Sequence, residues 1–119
     1  MDFFISLLYG IKKIETVCPS DIFLQVIKGK CKTTLIMLIG KNRNRFTEMK
    51  KTLPTISERT IAKQLRELEA DGIISRKVFN EVPLRVEYYL TEYGESIYPI
   101  VRDMRKWGHI HLKHLQNLV

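Results

Sequence analysis

The sequence predicts one mainly helical α+β domain, in which several helices precede a two-stranded hairpin and one long helix follows it. Three observations carry this reading. Apolar residues recur at helical spacing up to Gly72, alternate singly from Ile73 to Leu90, and return to helical spacing after Thr91. At 119 residues the chain fits one domain, residues 1–119, with a core of its own and little room for a second. Apolar residues at 45% and charged residues at 28% are the balance of a globular protein, not of a disordered or membrane chain.

Each element has its own local reason. Phe4, Leu7, Leu8, Ile11 and Ile14 form an apolar stripe on a first helix. Pro19 suits the first position of a second helix, with Ile22, Phe23, Val26 and Ile27 on its apolar side and Gly29 closing it. A third helix from about Lys32 carries Leu35, Ile36, Leu38 and Ile39 and stops at Gly40, and the polar run from Lys41 to Asn44 reads as a turn. Phe46, Met49 and Leu53 bury one side of a short helix that ends before Pro54.

Ser57 is a candidate N-cap, because its oxygen can accept a first-turn amide, for a helix with Ile61, Leu65 and Leu68 inward and Gly72 at its end. The other residues of that helix give an outward face rich in hydrogen-bonding groups. Ile74 and Val78 fall on one side of the next strand, with Lys77 on the other. Asn80 to Leu84 form the turn, and Val86, Tyr88 and Leu90 alternate along the return strand. Two strands alone are marginal in water, so this hairpin is expected to pack on the helices. Thr91 caps a last helix with an apolar face of Ile97, Val101, Met104, Trp107 or Gly108, His111, Leu115 and Leu118, kinked by Pro99. The order is that of a winged helix-turn-helix, in which the helix after Ser57 enters the major groove of DNA and the hairpin is the wing.

Charge agrees with a polyanionic partner. Twenty Lys and Arg against 13 Asp and Glu leave +7, and neutralising phosphates releases counterions. Between Lys41 and Arg85 there are 11 basic and 6 acidic residues, a local excess of +5. Cys18 and Cys31 are too few for a secreted disulfide framework, so a cytoplasmic location is expected. The opening MDFFISLLYGIKK has Asp2 and no basic residue before its apolar run, unlike a secretory leader. No stretch approaches the roughly 20 apolar residues of a membrane span.

The sequence resembles the HxlR-type family of winged-helix regulators. The matching residues are Cys18-Pro19, Gly29-Lys30, Arg45-Phe46 with Glu48, Ile56-Ser57, the run from Gln64 to Gly72, Arg76, Val82-Pro83, Val86-Glu87-Tyr88, Leu90-Thr91, Gly94 and Trp107. One departure is Cys31, where the family usually has tryptophan. The resemblance implies a homodimer, formed by the helices in residues 1–17 and 92–119, that binds a roughly palindromic double-stranded DNA operator and regulates transcription in either direction.

The candidate DNA-binding residues follow from this frame. Ser57, Arg59, Thr60, Lys63 and Gln64 on the helix after Ser57 are placed to read bases or hold phosphates, since arginine pairs with guanine and glutamine with adenine. Arg45, Lys50 and Lys51 are candidate phosphate contacts from the preceding helix, and Lys77, Asn80 and Arg85 from the wing. Arg66, beside Glu67 and Glu69, reads as a structural ion-pair residue. Cys18, ahead of Pro19 at a helix N-terminus, is a candidate redox thiol, because first-turn amides favour the thiolate and some family members with Cys-Pro here sense oxidants. The plainer reading is a small buried cysteine. Cys31 is a candidate resolving partner if the sulfurs come within disulfide reach.

His109, His111 and His114 lack acidic or cysteine partners nearby, so no metal or other cofactor is expected, and Trp107 reads as a packing residue. No catalytic constellation points to an enzyme. The competing function class is a winged-helix module that binds a protein instead of DNA.

Overall fold

The computed structural model describes residues 18–118. The helix expected from Phe4 to Ile14 lies outside them. The described residues form α1 (Pro19–Ile27), α2 (Lys32–Gly40), α3 (Phe46–Thr52), α4 (Glu58–Ala70), β1 (Ile74–Phe79), β2 (Arg85–Leu90) and α5 (Glu92–Asn117). This is the winged helix-turn-helix order.

The core forms around α2. Leu35 to Ile39 are all buried, and a helix that is apolar all round must be covered on every side. Here α4, α5 and β2 supply the cover. From α4 come Ile61, Leu65 and Leu68, each at most 1% exposed, and Met49 of α3 and Val101 of α5 complete the centre. Burying one such aliphatic side chain contributes about 1.5–3 kcal/mol.

The helix ends follow their local chemistry. Pro19 opens α1, where a missing N–H costs nothing. Ser57 Oγ accepts from the Thr60 amide at 3.1 Å and starts α4, which ends at Asp71 and Gly72. Thr91 Oγ1 accepts from the Gly94 amide at 2.8 Å at the head of α5, and its hydroxyl donates to the Gly72 carbonyl. One residue thereby caps α5 and ties it to the foot of the hairpin. Gly94 allows the close approach this requires, because a Cβ there would lie 1.9 Å from the Ile73 carbonyl oxygen.

The strands pair antiparallel, from Ile74 opposite Leu90 to Phe79 opposite Arg85. Only the root of the hairpin is packed: Ile74 is buried, with Tyr88 and Leu90 against the core. The Tyr88 amide also donates to the Asn44 carbonyl at 3.0 Å, fastening β2 to the α2–α3 loop. Val78, expected on the inward side with Ile74, is 49% exposed, because the strands outrun the helices by that point. At the tip, Val82 and Leu84 are also exposed.

One expectation for the last helix changes. Pro99 lies inside α5, which runs as one element from Glu92 to Asn117. The expected apolar face is buried only at Ile97 and Val101, whereas Met104, Trp107, Leu115 and Leu118 face solvent. At 1.5 Å per residue α5 is about 39 Å long, and its C-terminal half extends past the core. Trp107 is not a core residue within the chain, since it lies exposed and stacks on His111 with ring centroids 5.1 Å apart.

Candidate nucleic-acid interface

The solvent side of α4 carries Arg59, Lys63 and Arg66, all exposed and four and three residues apart. That spacing puts them on one face of a helix. None of the three forms an ion pair among the described residues. Arg66 was expected to pair with Glu67 or Glu69. Instead Glu67 pairs with Lys32 at 2.7 Å, and Arg66 is left on the basic stripe. Sequence reasoning missed it because acidic neighbours along the chain are not neighbours around the helix.

The stripe borders a groove of about 790 Å³ whose other wall is the α1–α2 connection, with Lys28, Gly29 and Lys30. Lys28 and Lys30 are exposed and add two cations beside Lys63 and Arg66. Their place beside this candidate face was not foreseen, since only the fold brings residues 28–30 next to α4.

Gln64 is a correction. Expected to read bases, it is 7% exposed, and its Oε1 accepts from the Cys31 amide at 2.9 Å and the Cys31 thiol at 3.1 Å. The carboxamide fixes the start of α2 against α4. Gly29 makes room for it, because a Cβ at that position would come within 2.9 Å of Gln64 Oε1. Cys31 and Gln64 are both buried at this contact.

Ser57 and Thr60 are partly committed too. Besides capping, Ser57 Oγ donates to Thr60 Oγ1 at 2.9 Å. Lys50 is engaged as well: its ammonium donates to the carbonyls of Ile56 at 2.6 Å and Pro54 at 3.2 Å, which holds the turn between α3 and α4. Lys51 is exposed beside it.

On the wing, Arg85 is engaged too. Its guanidinium lies over the Phe79 ring, 3.8 Å from the centroid, and pairs with Glu81 at 3.0 Å and Glu87 at 3.3 Å. It braces the hairpin and is not held free for a phosphate. Glu87 also accepts from Arg45 at 3.4 Å and from the Tyr89 hydroxyl. These partners, the tyrosine hydroxyl foremost, hold the Glu87 carboxyl below the usual range and push the Tyr89 phenol up. Lys77 and Asn80 remain exposed, with the Lys77 ammonium 5.0 Å from the Phe79 centroid.

The matches to known proteins agree with this geometry. A family model for HxlR-like helix-turn-helix proteins covers residues 26–116. The chain belongs to the HxlR-like helix-turn-helix family. It is 46% identical over 91 residues to the HTH-type transcriptional regulator YybR of Bacillus subtilis (strain 168), covering 76% of this chain and 73% of that one. An HTH-type transcriptional regulator of Methanothermobacter thermautotrophicus is 38% identical over 103 residues, 87% of this chain and 79% of its own. Among solved structures, the redox regulator HypR in its reduced form has a TM-score of 0.78 at 42% identity, covering 84% of this chain and 99% of that one.

Within this HxlR-like chain the two cysteines differ sharply. Cys18 is exposed at the N-cap of α1, where the Ser20 amide, the Ser20 hydroxyl and the Asp21 amide stabilise the thiolate and lower its pKa. Cys31 is buried, and desolvation raises its pKa despite the nearby Lys32 ammonium. Both thiols are free. No cluster of three potential metal ligands occurs among the described residues, and their helices include none long and apolar enough to cross a membrane.

Proposed function

We propose that this HxlR-like chain is a sequence-specific, double-stranded DNA-binding transcriptional regulator that acts as a homodimer and responds to oxidants through Cys18. The observation that carries the reading is the unpaired stripe of Arg59, Lys63 and Arg66 on the open face of the helix that follows the helix-turn-helix turn. Free cations on that helix suit guanine edges and phosphates. The relatives named as transcriptional regulators support the same function.

The dimer reading is supported by α5. Ile100, Met104, Trp107, Leu115 and Leu118 keep helical spacing over a face left in water, an apolar strip of the kind that marks a protein interface. Two copies joined there would present two α4 helices to successive major-groove segments of a palindromic site. The redox reading rests on the exposed, acidified Cys18 thiol and on similarity to the redox regulator HypR.

One binding experiment tests all three parts. A duplex selected from a random pool, titrated by fluorescence anisotropy, should bind two chains per site with an affinity that falls steeply as salt rises. A thiol oxidant should shift that affinity in the native chain and leave Cys18→Ser unchanged. Absence of duplex binding at low salt would sink the DNA reading in favour of a protein-binding module. Equal oxidant responses would remove Cys18 from the mechanism.

A further inference from the structure

A second cavity, about 420 Å³, lies between α2, the α2–α3 loop, the end of α3 and α5. Thr34, Met37, Leu38, Lys41, Arg43, Thr52 and Arg105 line it, and no residue of α4 or of the wing does. Its walls therefore hold three cations and two threonines but no carboxylate. Elsewhere among the described residues several basic side chains have acids: Lys32 has Glu67, Arg45 and Arg85 have Glu87, and Arg102 has Asp103. Lys41 and Arg43 make no side-chain ion pair among the described residues, and Arg105 reaches only the Thr34 hydroxyl, at 3.2 Å.

Gathering three like charges around one cavity is unfavourable unless an anion completes it. Complementing the negative end of α2 accounts for a cation at 41 or 43, which follow its last turn. It does not account for Arg105, which arrives from another helix and is oriented into the same space by Thr34. The Leu38 and Ile39 carbonyls of that helix end are also already satisfied, since the Lys41 and Arg43 amides donate to Leu38 and the Asn42 amide to Ile39.

We propose that this cavity is a binding site for a small multivalent oxyanion, a molecule bearing two or three carboxylate or phosphate groups. Its volume falls within the roughly 300–1,000 Å³ typical of small-molecule sites and exceeds what a halide needs. Guanidinium groups at 43 and 105 pair with planar oxyanions through parallel N–H bonds, the Lys41 ammonium adds a point charge, and the threonine hydroxyls orient the remaining oxygens. Because Arg105 belongs to α5 and Lys41 and Arg43 to the loop leading into α3, an occupant would clamp α5 to the helix-turn-helix. On the regulator reading above, that makes it an effector site.

Citrate and inorganic phosphate are suitable probes, titrated calorimetrically into the full chain with ionic strength balanced by sodium chloride. Citrate should bind saturably at one per chain, with phosphate competing more weakly. Lys41→Gln/Arg43→Gln, which alters only exposed side chains, should weaken citrate at least about tenfold, as should Arg105→Gln, whereas Arg76→Gln should leave it unchanged. No saturable heat with either anion overturns the proposal, as does binding indifferent to all three substitutions, which is general charge screening. A third arm uses a random-sequence duplex: if the 41/43 variant loses duplex affinity while citrate does not bind, these cations are DNA-backbone contacts and the small-anion site is rejected. The calorimetry contains no DNA, so its outcome stands apart from whether the chain binds an operator.

Discussion

The recognition helix and the wing carry similar residue types, yet the fold uses their charges in opposite ways. On α4, Arg59, Lys63 and Arg66 are exposed and form no ion pair among the described residues. On the wing, Arg85 is clamped by Glu81, Glu87 and the Phe79 ring, and Arg45 is drawn to the same Glu87. A cation already paired must give up its partner to reach a phosphate, whereas a free one loses only water. The difference separates cations available for binding from cations that shape the hairpin, and counting basic residues along the chain cannot make that separation.

The largest effect should come where the wing is rooted. Gly94→Ala places a methyl group against the Ile73 carbonyl, which is main chain and cannot swing aside. We expect a loss of about 3 kcal/mol in urea unfolding, the upper end for overpacking, with hydrogen exchange of the hairpin amides rising most. Unchanged stability would mean that the root of the wing can slide away from α5, and that the hairpin is braced by its own ion pairs alone.

A somewhat smaller effect separates reading from holding. Arg59→Ala should cost about 1 to 3 kcal/mol at the selected operator and much less on random duplex, while Lys77→Ala should weaken both alike. Uniform losses from both variants would put base readout somewhere other than the Arg59 face. Gln64→Ala makes the complementary case. It should cost about 1 to 2 kcal/mol of stability, by leaving the buried Cys31 amide without its acceptor, and leave the preferred operator sequence unchanged. A changed operator preference would restore Gln64 to the reading surface.

What could be read in advance follows the range of the interactions concerned. Ser57, Thr91, Pro19 and Pro54 act within a few residues of themselves, so the helix boundaries they set were legible. So was the buried stripe of Ile61, Leu65 and Leu68, which depends only on helical period. The role of Gln64 was hidden because its partner, Cys31, is 33 residues away, and a glutamine on an otherwise polar helix gives no local sign of burial. Arg85 has Glu81 and Glu87 within four residues along the chain, but its place over the Phe79 ring depends on strand register. Arg105 and the Lys41–Arg43 turn meet only in the folded chain. Sequence position therefore identified the face of α4 that holds Arg59 and Lys63, and only tertiary structure added Lys28, Lys30 and Arg66 to it and removed Gln64.

The smallest predicted effect tests the wing's side of the comparison through pH. Glu87 is the acid on which Arg45, Arg85 and the Tyr89 hydroxyl converge, and its pKa is lower in the folded chain than in the unfolded one. Its contribution to stability is thus complete above the ordinary glutamate pKa of about 4.3 and is lost as pH falls through the depressed folded value. Because the site is near the surface, the effect on global unfolding should be small, and the sensitive readout is local. Amide chemical shifts from Phe79 to Tyr89 should change together as pH falls below the ordinary glutamate range, while those of α4 from Arg59 to Arg66 stay nearly constant. Glu87→Gln should remove the transition and reproduce the low-pH hairpin spectrum at neutral pH. If the α4 amides move in step with the hairpin instead, the two basic regions are coupled, and the free cations of α4 depend on the ion-paired wing for their position.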